Sequence, residues 1–144
     1  MIRHGGLIAQ RLGGAWRGAL IEGAAGAGKS DLALRSLDAG FRLVADDRVV
    51  LWVSGGRLFG RAPDTLAGRL EIRGLDVVTL AALPFVEVAL CVRCGAPDRI
   101  PEPRFAEILA VAIPLIELDP REPSAPAKLS RALSHFDAAH KRRI

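Results

Sequence analysis

The sequence has no tyrosine, only five phenylalanines and two tryptophans. Half of its 144 residues are apolar, mostly Ala, Leu and Val, which points to an α/β core with modest aromatic packing. A run long enough to span a bilayer is also missing. The best candidate, "VVTLAALPFVEVALCV", is broken by Pro84 and Glu87 and falls short of the ~20 apolar residues a spanning helix needs. The N-terminus "MIRHGGLIAQRLGG" carries no apolar signal-peptide core, so a cytoplasmic location and no membrane partner are expected. Cysteine is scarce: Cys91 and Cys94 form a lone "CVRC". Zinc would need two more ligands, and no second Cys or His pair is present. A redox pair normally opens a helix, whereas this one ends the strand-like run "VEVALCVRC", so two unpaired strand thiols are expected.

The length suggests one domain, residues 1–144. Such a domain buries roughly 68–70% of its unfolded surface and needs no disulfide or structural metal. The net charge is +4 and the pI about 9.8, in part from the tail "HKRRI". No aromatic residues interleave with the basic ones, so the usual platform for stacking single-stranded bases is missing and no nucleic-acid partner is expected. The tail reads as a solvated helix end, where cations suit the helix dipole. Repeats and low-complexity tracts are absent.

Punctuation by glycine and proline divides the chain. "GLIAQRL" reads as a strand, "GGA" as a turn and "WRGALIEG" as a second strand. "KSDLALRSLDAG" follows as a helix with Leu32, Ala33, Leu34 and Leu37 on its apolar face and Gly40 at its end. "FRLVADD" is the next strand, and "RVVLWVSGGRLFGRAP" reads as a hairpin about "SGG". "DTLAGRLEIRGLDVVTL" is less regular, and "LPFVEVALCVRC" is strand-like. "RFAEILAVAIPLIELDP" holds one or two strands, since Pro114 argues against a continuous helix. "DPREPSAPA" reads as a linker before a C-terminal helix with Leu129, Leu133 and Phe136 on one stripe. Hairpins with few helices predict a mixed sheet.

Gly23, Gly26, Gly28, Lys29 and Ser30 satisfy G-x-x-x-x-G-K-[ST], with Ala24, Ala25 and Ala27 between them. Glycines let backbone N–H groups curl around phosphate oxygens, and the helix that follows points its positive end at the anion. Lys29 would reach the β and γ phosphates, and the Ser30 hydroxyl can ligate Mg²⁺. Apolar Ala19, Leu20 and Ile21 before the loop and the amphipathic helix after it supply the strand–loop–helix context. ATP with Mg²⁺ is the expected cofactor pair.

Asp46 and Asp47 close the strand "RLVA", and the short spacing places that strand next to the strand of the phosphate loop. One carboxylate at such a place can hold Mg²⁺ and a second can act as a base, both of which phosphoryl transfer to a hydroxyl requires. Neighbours on a strand face opposite ways, so the two acids should do different jobs. Glu71, in "LEIRG", shares a face with Arg73 if the segment is extended. The two could form a surface ion pair, or a metal carboxylate beside a phosphate-binding cation. His4 precedes the first strand.

Taken together, "HGG", "GAAGAGKS", "RLVADDRV" and "LEIRGLDVV" resemble bacterial HPr kinase/phosphorylase, in the short alphaproteobacterial form without the N-terminal domain. The resemblance runs from His4 to about Leu80. The phosphate loop is common to many families; "ADDRV", with Asp46 seventeen residues after Lys29, and "LEIRG" beyond it are much more selective. It implies an α/β phosphate-loop core with a mixed sheet, similar to the catalytic domain of phosphoenolpyruvate carboxykinase, assembled as a homo-hexamer. It implies an ATP-dependent serine kinase that phosphorylates HPr or a paralogous phosphocarrier, with a regulatory role in carbon and nitrogen metabolism. Longer members also run a phosphorolysis that yields pyrophosphate.

By motif position, Asp46 resembles the family's catalytic acid/base and His4 the histidine beside it. Ser30, Asp47 and Glu71 resemble the Mg²⁺-organising groups, and Arg73 lies in the segment linked with phosphorolysis. The sequence departs from the family in a longer link between His4 and the loop, around "RLGGAWR", and in altered C-terminal helices. The family's late glycine-arginine loop is missing too, with Arg121 the nearest candidate for its arginine. Other readings of the same core are a small-molecule kinase and a non-catalytic ATP-binding regulator.

Overall fold

Two glycine pairs lay out the first half of the sheet. Gly13 and Gly14 have φ of 57° and 84°, and Gly55 and Gly56 have 58° and 76°, the positive values a two-residue primed turn needs. In the computed structural model the backbone is described for residues 1–143 and side chains for residues 1–136. The basic segment 140–144 therefore lies outside the residues whose side chains are described. The strands are β1 (Ile2–His4), β2 (Gly6–Leu12), β3 (Ala15–Glu22), β4 (Arg42–Ala45), β5 (Arg48–Ser54), β6 (Arg57–Arg61), β7 (Arg69–Ile72), β8 (Asp76–Thr79), β9 (Val86–Cys94), β10 (Arg104–Ile108) and β11 (Val111–Leu118). Helix α1 (Lys29–Leu37) follows β3, and α2 (Ala125–Arg143) follows β11.

Nine strands form one sheet in the order β1-β5-β6-β9-β3-β2-β4, with β11 paired to the second half of β9 and β10 to β11. β9 runs parallel to β3 and β11 and antiparallel to β6, so the sheet is mixed, as the hairpin pattern predicts. Along β2 and β3, Leu7 and Leu20 join one apolar cluster, and Ile8 and Ile21 the other. That alternation buries both faces, which is why Leu7-Ile8-Ala9 and Ala19-Leu20-Ile21 are unbroken apolar stretches. The second cluster takes in Leu32 and Ala33 of α1 and Leu129 and Leu133 of α2. Full burial of each such leucine stabilises the fold by about 1.5–3 kcal/mol.

Three expectations need correction. β4 does not lie beside β3: β2 stands between, paired antiparallel to each. The two-residue turn makes β2 the immediate partner of β3 on one side, and β9 takes the other. Two antiparallel steps restore direction, so β3 and β4 run the same way and end on the same rim. His4 does not precede the first strand but ends β1, opposite Arg48 of β5. Residues 119–124 do not form a free linker, since they pack on the end of α1 and on the turn before it.

Candidate active site

Residues 23–28 turn from β3 into α1. Gly28, at φ 106°, is the N-cap, a backbone angle that suits glycine, and no side chain caps the helix. Gly23 is required for another reason: a Cβ there would lie 2.8 Å from the Cβ of Cys94. Lys29 folds back over the turn, donating from Nζ to the carbonyls of Gly23 (2.7 Å) and Ala24 (3.0 Å). Arg3 of β1 braces the start of the turn through Glu22, at 3.1 and 3.2 Å to the two carboxylate oxygens.

The two aspartates lie just past β4. Asp46 is buried, 7% exposed, whereas Asp47 is exposed and has a left-handed backbone, φ 70°. The Ser30 hydroxyl donates to Asp46 Oδ1 at 2.8 Å, and the Glu71 backbone N–H donates to Oδ2 at 3.2 Å. One carboxylate thus ties the first turn of α1 to β7. The backbone carbonyl of Asp47 accepts from the Gly5 N–H at 2.9 Å, which sets exposed His4 on the same rim.

The Glu71 side chain is exposed on β7. Arg73 is not on an extended segment with it, because it enters the turn between β7 and β8. Among the described residues no ion pair joins the two, and no group of three His, Cys, Asp or Glu side chains is placed to hold a metal ion. A cleft of about 610 Å³ opens at the far end of α1, lined by Arg35, Asp38, Pro126 and Arg131, away from this cluster.

Sequence reasoning took the segment after β11 for a linker and named Arg121 only by family resemblance; it did not foresee that the segment packs on the loop. The Arg121 guanidinium donates to the Gly26 carbonyl at 3.2 Å, and Pro120 lies 3.6 Å from where a Gly28 Cβ would stand. Arg35, near the end of α1, bonds the carbonyls of Pro120 and Glu122. The Asp31–Arg35 spacing is visible in the sequence, but partners some 85 residues further on are not.

Cys91 and Cys94 are free thiols in β9, as expected. Burial pushes the Cys91 thiol up from 9.0 to about 12, with Glu22 adding and Arg3 and Arg93 opposing. Burial also raises Cys94, against the effect of Lys29. As pH rises from 9 toward 12, the unfolded chain gives up the Cys91 proton that the folded chain keeps, so stability falls. Between pH 9 and pH 10.5, urea unfolding of the unaltered protein should lose about 2 kcal/mol more than that of Cys91→Ala. Equal losses would show that the Cys91 thiol ionises alike in both states.

Fold and site together define a mixed α/β protein in which a glycine-rich strand-to-helix turn meets a buried carboxylate. The family model described as the HPr Serine kinase C-terminal domain matches residues 3–86, and the chain belongs to that family. An HPr kinase/phosphorylase of Clostridium perfringens is 44% identical over 66 residues, 46% of this chain and 22% of that protein. The one of Halalkalibacterium halodurans is 42% identical over 90 residues, 57% of this chain and 29% of that protein. The chain thus spans less than a third of the curated relatives it matches. In fold it is similar to the HPr(Ser) kinase/phosphatase from Coxiella burnetii, with a TM-score of 0.81, 23% identity and coverage of 98% of this chain and 99% of that one. No helix among the described residues is long and apolar enough to cross a membrane.

Proposed function

We propose that residues 1–144 form one cytoplasmic catalytic domain, a Mg-ATP-dependent protein-serine kinase acting on HPr or a paralogous phosphocarrier. The observation that carries this reading is the 2.8 Å bond from Ser30 to Asp46, in a chain of this family. It joins the helix start after the phosphate loop to an acid just past β4, which ends on the same rim as β3, the arrangement phosphoryl transfer uses.

Residues 23–30 would cradle the phosphates of ATP through their backbone N–H groups, and Lys29 would leave the two loop carbonyls for the β and γ phosphates. The Ser30 hydroxyl and the Asp46 carboxylate are hard oxygen donors that suit Mg²⁺, an ion that takes one or two carboxylates along with substrate phosphates. When bound, Mg²⁺ neutralises charge developing on the transferred phosphoryl group.

The geometry favours an exchange of the roles that the family resemblance implied for the two acids. Asp46 is buried and already engaged by Ser30 and the Glu71 N–H, which suits holding the metal. Asp47 is exposed on the rim beside His4, where a protein substrate's hydroxyl can reach it. In the forward direction Asp47 would take the serine proton as the serine oxygen attacks the γ phosphorus, the bond from that phosphorus to the β-phosphate oxygen breaks and ADP leaves. In phosphorolysis an oxygen of inorganic phosphate attacks the phosphoserine phosphorus, pyrophosphate forms and Asp47 returns the proton to the departing serine oxygen. Glu71 and Arg73 flank this rim on β7 and its turn, a position that suits binding rather than proton transfer.

Incubation with HPr, ATP and Mg²⁺ should place one phosphate on a serine of HPr, and added inorganic phosphate should remove it as pyrophosphate. Phosphate delivered to a metabolite and not to a carrier would establish the small-molecule kinase instead.

A further inference from the structure

We propose that Arg35 is a positioning residue. From the last turn of α1 it seats the turn at 119–122 against the glycine-rich loop and so keeps Arg121 beside Gly26. The nucleotide arm of this proposal rests on the kinase reading, while its structural arm does not.

Three bonds fix the Arg35 guanidinium. Its Nε donates to Asp31 Oδ2 at 3.0 Å, one helical turn back. That contact aims the planar fork off the helix toward the chain after β11. Nη1 then donates to the Glu122 carbonyl at 3.1 Å, and Nη2 to the Pro120 carbonyl. Two carbonyls two residues apart need two donors held at a fixed separation. A guanidinium has them, and a lysine ammonium, a single point, does not.

The turn does not need Arg35 for its shape. The Arg121 N–H donates to Asp119 Oδ1 at 3.0 Å, and the Ala125 N–H to the Glu122 carbonyl at 3.0 Å, so the turn closes on itself. What Arg35 supplies is its place. Once seated, Pro120 lies against Gly28, and Arg121 reaches the Gly26 carbonyl at 3.2 Å. The Arg121 guanidinium is thereby held next to the loop that would wrap the phosphates, although its own element begins nearly a hundred residues further along. The competing explanation is that buried Pro120 seats the turn unaided.

Backbone hydrogen exchange of the nucleotide-free protein separates the two. In both Arg35→Ala and Arg35→Lys, the amides of Arg121, Glu122, Ser124 and Ala125 should exchange about tenfold faster, while those of β3 and β9 are unchanged. Equal exchange in both variants and the unaltered protein would overturn the proposal and leave the seating to Pro120. In ATP titrations with Mg²⁺, Arg35→Ala and Arg121→Ala should each weaken binding about tenfold, the worth of one charge-assisted hydrogen bond. The double variant should bind no more weakly than Arg121→Ala, because Arg35 acts through Arg121. A product of the two separate losses would overturn that route. If the unaltered protein binds no ATP, the kinase reading fails, and the exchange measurement still decides the role of Arg35.

Discussion

On the proposed kinase reading, Asp47→Asn should lower transfer of phosphate from ATP to a carrier serine about 10²–10⁴-fold, the usual worth of a positioned base. ATP affinity and the proposed Mg²⁺ requirement should stay unchanged, because the exposed Asp47 side chain has no described bond to the loop or to Ser30. Asp46→Asn gives the opposite pattern. It replaces one oxygen of the carboxylate that meets Ser30 and the Glu71 N–H, and the Mg²⁺ concentration for half-maximal rate rises about 10–100-fold. Saturating Mg²⁺ recovers much of the rate. Steady-state kinetics at varied Mg²⁺ separates the two variants. If Asp46→Asn is dead at all Mg²⁺ concentrations and Asp47→Asn shows the metal defect, the roles return to those the family resemblance implies.

Gly23→Ala disables the loop by crowding rather than by chemistry. Its new Cβ would stand 2.8 Å from the Cβ of Cys94 and 3.2 Å from its sulfur. Neither atom is the loose end of a long side chain, so β9 or the loop must move, at about 1–3 kcal/mol. The Gly23 carbonyl also holds Lys29, so a displaced loop mispositions the ammonium meant for the phosphates. We expect ATP binding to weaken at least about tenfold, the equivalent of 1.4 kcal/mol. Cys94→Ala leaves the Cβ in place and should not rescue it, whereas Cys94→Gly should recover most of the affinity. Rescue by alanine would trace the defect to the sulfur instead, and undiminished binding in Gly23→Ala would show that the loop tolerates the displacement.

The legible parts of this fold are those written in local chemistry. The Gly13–Gly14 and Gly55–Gly56 turns announce their hairpins, and the apolar face of "KSDLALRSL" announces α1. The β10–β11 hairpin was ambiguous because its turn uses Leu109 and Ala110, at φ 50° and 65°, where a glycine or asparagine would have signalled it. Strand neighbours are a different matter. Nothing within "FRLVADD" says that β2 separates it from β3, because pairing is settled by which edge the first hairpin leaves open.

The site divides in the same way. The loop residues and the acid pair were visible as motifs. Which acid is buried depends on the left-handed turn at Asp47, which no glycine signals, and on the hairpin that lays the Glu71 N–H against Asp46 from 25 residues on. The seating of Arg121 was hidden because a proline-rich stretch reads as a linker until Arg35, on a distant helix, is seen to bind its carbonyls.

The most direct measurement is the intact mass of HPr after incubation with this protein, ATP and Mg²⁺, with the modified residue located by fragmentation. The account predicts the gain of one phosphate on a serine, absent without Mg²⁺ and absent with Lys29→Ala. ATP binding with no phosphate on HPr or on any paralogous carrier would contradict it and favour a nucleotide-binding regulator.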